Sequence, residues 1–317
     1  MDTSTQLNLR MALPTTFSHL YQKLLSAQTK KKGERIILII AIVSFLAHLA
    51  LIFLVDFGFI QLDAPSDLLT NPIAAIYTPF SFILVYEVYL LLYYLPKSIT
   101  TYIAKQYEII SLIIIRRLFK DLSNLSLSYD WFDIKYDLQF TYDLLSSVVL
   151  FFLIFQFYRQ SSKRYRIESL EEQHQEGLAR FIRIKKVIAA ALVLVLMVLA
   201  AYTFTSWSIG EIRPSLLQGP SFENINNIFF EQFFTVLIIA DVLLLLFSFF
   251  YTDEFHKVMR NSGFIISTIL LRLSFSVEGL LNNLLIITAL LFGLLMLVIH
   301  NQFEKQLARE EKRVELS

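Results

Sequence analysis

Eight apolar runs, separated by polar clusters, set the rhythm of this chain. They are Ile36–Val55, Ile73–Leu95, Tyr107–Leu122, Leu144–Tyr158, Val187–Ile209, Ile228–Tyr251, Ser262–Val277 and Leu280–His300. A bilayer core is crossed by roughly 20 apolar residues in a helix, fewer where the helix is packed inside protein. The pattern therefore predicts eight membrane-spanning helices. The third and seventh are the least apolar, because Arg116 and Arg117 interrupt one and Arg272 the other. The second carries Glu87 and the sixth Asp241.

The basic residues bear on that count, because cytoplasmic loops retain Lys and Arg. With the N-terminus inside, only Lys120, Lys135 and Arg213 of the 28 Lys and Arg fall outside, and Arg116, Arg117 and Arg272 fall within the membrane. All others lie on the inner side. Deleting either short span would scatter basic loops over both faces, so both termini are expected in the cytoplasm. The first apolar run is longer than the apolar region of a cleavable signal and is expected to remain as an anchor.

Composition narrows the class further. Hydrophobic types make up 56% of the 317 residues and charged types 17%, whereas a water-soluble domain carries about 25% charged residues. Few Gly (8) and Pro (7) against 29 Phe favour long helices. The absence of Cys excludes disulfides, thiolate metal sites and a Cys nucleophile. The expected fold is all-α: a polytopic membrane protein.

Its segments are a cytoplasmic N-terminal stretch (1–34), a four-helix membrane unit (35–158), a basic helical linker (159–186), a second four-helix unit (187–302) and a charged tail (303–317). Thr15–Ser26 places Phe17, Leu20, Tyr21 and Leu24 on one helical face ahead of Lys30–Lys32. That suits a helix lying on an anionic inner leaflet, or a plain topology-setting tail. The linker interleaves basic residues with Glu168, Glu171, Glu172 and Glu176, which marks a solvated helix face and speaks against nucleic-acid binding. Asp130, Asp133 and Asp137 share a helical face outside. Without a glycine turn or further acids they read as the wet side of an interfacial helix, and no metal site is expected.

The two halves resemble each other. Ile110–Phe119 reads ISLIIIRRLF and Ile266–Phe275 reads ISTILLRLSF, which matches Ser111 with Ser267 and Arg116 with Arg272. Upstream, Glu87 corresponds to Asp241. Four crossings return the chain to its starting side, so the two units are expected to be parallel copies. Counting from the inner ends of the apolar runs puts each acid and each arginine about 12–15 Å deep. Glu87 with Arg116, and Asp241 with Arg272, are therefore expected to pair near mid-membrane, where an isolated charge is costly. Arg117 is left as a surplus positive charge.

The second half, with Asp241, then FYTDEFHKVMR, then FIISTILLRL and a last apolar helix, resembles the phosphate-starvation-inducible protein E family. These are small four-helix proteins of the bacterial inner membrane. The resemblance covers about Phe229–His300 well and Thr78–Tyr158 more weakly. It matches the family's acid, inner His and Arg, and mid-helix Arg to Asp241, His256, Arg260 and Arg272. Arg117, the outer insertion and the lack of a first-half counterpart of His256 depart from the pattern. What the resemblance implies is a fold and a membrane location; it implies no reaction.

Catalysis is not expected. His19, His48, His174, His256 and His300 are dispersed, and no HExxH, GxSxG or phosphate-binding glycine loop occurs. No cofactor is expected. Within the first span, His48 is read as a hydrogen-bonded packing residue. Two functions remain. One is a channel or transporter for an ion or small solute, lined by Glu87, Arg116, Arg117, Asp241 and Arg272 and supported by Ser111, Ser267, His256 and Arg260. The other is a scaffold or sensor whose basic inner face binds anionic lipid or a membrane partner protein. Gly263 with Ser267, and Ala289 with Gly293, are spaced for close helix contact, within the fold or in a homo-oligomer.

Overall fold

The computed structural model describes residues 21–59, 72–123, 135–163, 175–212, 222–250, 254–277 and 279–315. Eight long α-helices occupy these segments. They are α1 (Ala27–Asp56), α2 (Tyr77–Tyr94), α3 (Ile99–Ser123), α4 (Lys135–Ser161), α5 (Gln175–Ile212), α6 (Phe222–Phe249), α7 (Phe255–Ser274) and α8 (Leu280–Glu315). A short 3-10 turn, Pro72–Ile76, leads into α2. Each apolar run falls on one helix. The first half of Thr15–Ser26, most of the linker's acidic stretch, and Asp130 and Asp133 lie outside the described residues; Asp137 falls in the first turn of α4.

Local chemistry sets several of the boundaries. Ser26 Oγ accepts from the Thr29 amide at 3.1 Å and so satisfies one of the free N–H groups at the start of α1. The turn from α7 to α8 passes through Gly279 at φ +70°, a conformation that glycine adopts without a Cβ penalty.

Four helical segments are long and apolar enough to cross a membrane: Ala27–Asp56, Leu138–Ser161, Gln232–Phe249 and Leu280–Glu310. Thr78–Tyr94 is apolar but shorter. The eight expected spans are thus reduced to four by this measure among the described residues. α3 and α7 carry arginines inside their apolar runs and begin with polar turns, which lowers their hydropathy; in α5 the basic Arg183, Lys185 and Lys186 precede the apolar run Val187–Ile209. Ile36, Ile39, Leu46, Leu145, Phe152, Ile239, Leu284 and Leu291 stand exposed on the four candidate spans. Such a surface suits acyl chains and would be costly in water.

Neighbours in sequence pack in space within α1–α4 and within α5–α8, and the two sets meet where α4 packs on α8, α3 on α7 and α2 on α5. α4 and α8 run parallel. Asn283 donates to Asp143 Oδ1 at 2.5 Å, and further along the same pair Asn301 donates to the Gln160 carbonyl at 3.0 Å. The small residues are used where α7 packs on α8 and α3. Ser267 Oγ donates to the Ala289 carbonyl at 2.7 Å and lies 2.8 Å from Tyr107 Oη. A Cβ on Gly293 would sit 1.9 Å from Tyr107 Oη, and one on Gly263 would sit 2.3 Å from Met296 Cγ. Close approach of α3, α7 and α8 requires both glycines.

Candidate functional site

Helix lengths decide which charges meet. α3 begins at Ile99, well before the expected Tyr107, and α7 begins at Phe255 instead of Ser262. Glu87 therefore lies about 10 Å above the α2–α3 turn, and Arg116 about 25 Å above it. The charges acting on Glu87 are instead those of Glu108, Lys105, Lys30 and Glu34. Lys105 pairs with Glu108 at 2.5 Å, and Tyr158 Oη donates to the other Glu108 oxygen. The same offset separates Asp241, about 12 Å above the end of α6, from Arg272, about 25 Å into α7.

Asp241 is 1% exposed and takes a hydrogen bond from Gln106 Nε2 to Oδ2 at 3.1 Å. Its Oδ1 and the Tyr102 hydroxyl are both buried and interact, although no hydrogen bond of normal geometry joins them. Arg272 Nη2 donates to Thr235 Oγ1 at 3.3 Å, a partner at its own depth. The two residues nevertheless line one small cleft of about 20 Å³, room for about one water, together with Gln106, Thr268, Phe234 and Phe275. Its walls come from α3, α6 and α7, so a residue of the first half reaches the acid of the second.

The surplus arginine has a carboxylate partner that sequence reasoning missed. Arg117 Nε lies 2.7 Å from Asp143 Oδ2, an ion pair off line for a hydrogen bond. Its Nη1 and Nη2 both donate to Asn282 Oδ1 at 3.1 Å, and Nη2 also donates to Asn283 Oδ1 at 2.9 Å. Gln139 Nε2 donates to Asp143 Oδ1 at 2.9 Å. Asn282 in turn donates to the Ser274 and Val277 carbonyls. The cluster thereby ties the α7–α8 turn to α3 and α4. Available signals were the two adjacent asparagines at the head of an apolar helix and an arginine in need of an acid.

Arg116 is buried on α3. Ser111 only bonds back to the Glu108 carbonyl within its own helix, unlike its repeat counterpart Ser267. His48 Nδ1 lies 2.5 Å from Thr78 Oγ1, the packing role expected of it.

At the opposite end of α7, His256 Nε2 lies 2.7 Å from Glu304 Oε1 and 3.3 Å from Glu254 Oε2. His256 and His300 stack at 5.2 Å. One ligating atom each from His256, His300 and Glu304 falls within 4.8 Å of the others, a donor set suited to a zinc-class ion. Arg260 Nη1, however, lies 2.9 Å from His300 Nε2. A metal on either ring nitrogen would require that guanidinium to leave, since a ring bound at Nδ1 carries its proton on Nε2. As it stands, the cluster straps α7 to α8. Burial pulls Arg260 down to about 10, against the opposing pull of Glu304 and Glu254.

Between this cluster and the cleft lies Lys185 of α5. It is 8% exposed and donates to the Lys97 carbonyl at 3.2 Å. Burial first, then the charge of Arg260, pulls its ammonium down to about 8, while Asp241 acts in the opposite sense.

This is the arrangement of an all-helical membrane protein with a buried polar seam. Compared with protein-family models, characterised proteins and solved structures, the chain matches none.

Proposed function

We propose that the protein passes a proton or a small monovalent cation across the membrane through the cleft at Asp241. One observation carries this reading. A buried carboxylate, held by Gln106 and accompanied by the buried Tyr102 hydroxyl, stands on the wall of a cleft between helices. Intramembrane ionisable groups that persist in such a setting mark ion pathways. Asp241 is the loading group. Gln106 holds its second oxygen, and Arg272 sets the electrostatic barrier on the far side of the same cleft. Glu87 and Arg116 flank the route as structural charges, and Arg117 belongs to the strut that fixes α7 and α8.

The same proposal includes eight crossings arranged as two parallel four-helix units with both termini cytoplasmic, in the inner membrane. The distribution of Lys and Arg supports the orientation. The pairing of α3 with α7 and the parallel run of α4 and α8 support the duplication. Membership of the phosphate-starvation-inducible protein E family belongs to this proposal as well, on the residues quoted for it.

Purified protein in liposomes tests the reading. Under an imposed potential, a pH-sensitive dye reports proton entry and a potassium or sodium gradient reports the alkali ions. Flux at least tenfold above empty liposomes for one of these species is expected. Rates equal to empty liposomes for all of them would reject the conduit.

A further inference from the structure

We infer that the end of the bundle around Tyr93 and Tyr94 is a binding site for the phosphate headgroup of an anionic phospholipid. The inference is independent of the conduit. Lysines from separate parts of the chain converge on these two rings. Lys30 of α1 lies 5.3 and 5.2 Å from the Tyr93 and Tyr94 centroids, and its Nζ donates to Tyr94 Oη at 3.0 Å. Lys97, from the α2–α3 turn, lies 4.8 and 5.0 Å from the same centroids, and Lys105 of α3 lies 5.3 Å from Tyr94.

Three ammonium groups around the same two rings concentrate positive charge at this end of the bundle and would attract an anion. The acids nearby answer only part of that charge. Glu108 takes Lys105 at 2.5 Å and is itself bonded by Tyr158, and Glu34 and Glu87 act on the group from further off. Among the described residues no carboxylate lies within 4 Å of Lys30 or Lys97. Aromatic rings holding lysines at a helix end also form the belt expected where headgroups meet water.

The form of the surface selects a lipid over free phosphate. Leu38 and Ile40 of α1 are 48% and 39% exposed, flank the face that carries Lys30, and lie about 12 and 15 Å further along the helix. A headgroup seated on the lysines would therefore place its acyl chains against an apolar helix face that needs covering.

The test uses the full-length protein in detergent, with phosphatidylglycerol, phosphatidylcholine and inorganic phosphate as probes and native mass spectrometry as readout. Tighter retention of phosphatidylglycerol than phosphatidylcholine is expected, with no displacement by millimolar phosphate. The triple variant Lys30→Gln, Lys97→Gln, Lys105→Gln should weaken retention at least tenfold. Lys97→Glu alone, a change in an exposed turn that leaves the helices intact, should weaken it at least threefold, and Lys312→Gln in the tail should leave it unchanged. Equal retention of the two lipids, retention by the triple variant within twofold of the parent, or displacement by phosphate would each overturn the assignment.

Discussion

Arg117 and Asp143 face each other at 2.7 Å from positions eighteen residues above the shared end of α3 and α4. Equal depth brought them together, and Asn282 and Asn283 accept three further hydrogen bonds from the guanidinium. Asp143 is fully buried, so removing the arginine would leave an uncompensated charge inside the bundle. Arg117→Met should cost about 3–5 kcal/mol, the range for breaking a buried pair. Arg117→Met with Asp143→Leu should recover much of that loss. Denaturant-induced unfolding in detergent, run as a double-mutant cycle, measures both. Additive effects would reject a coupled pair.

Gly293 admits Tyr107 Oη where a side chain would stand. Gly293→Ala should destabilise by about 1–3 kcal/mol through overpacking. Tyr107→Phe removes the atom that meets the new methyl group, so Gly293→Ala should cost less in that background than in the parent. Thermal unfolding of the four proteins reads the difference.

Lys185 supplies a pH signature. Its folded value of about 8 lies below the ordinary 10.5, so between those values the unfolded chain holds a proton that the folded chain has released. Stability should therefore rise with pH through that window and level off above it, by at most about 3 kcal/mol. Lys185→Met should flatten the slope. Unfolding midpoints from pH 7.5 to 10.5, parent against variant, give the answer; parallel curves would show that Lys185 does not titrate there.

Much of the architecture was legible from hydropathy alone. All eight apolar runs lie on helices, and the Ser267, Gly263 and Gly293 positions mark a real close contact. The charge partners were harder to read, because a hydropathy boundary is not a helix boundary. Gln106 and Lys105 look like loop residues when α3 is started at Tyr107, yet they belong to its second turn. That shift moves Arg116 about 12 Å further from the turn and removes Glu87 as its partner. Asp241 and Arg272 were expected to pair at one depth; they line one cleft, but each bonds a residue at its own depth. Nothing in the periodicity pointed to Gln106 as the group holding Asp241, because that contact joins residues 135 positions apart.

Asp241→Asn keeps the shape of the side chain and its contact with Gln106 while removing the charge. Ion flux into liposomes, compared between parent and Asp241→Asn at equal protein content, is therefore the most direct measurement. The account predicts at least a tenfold fall, with detergent-phase stability unchanged or improved. Flux in the variant equal to that of the parent would contradict it and leave Asp241 a structural residue.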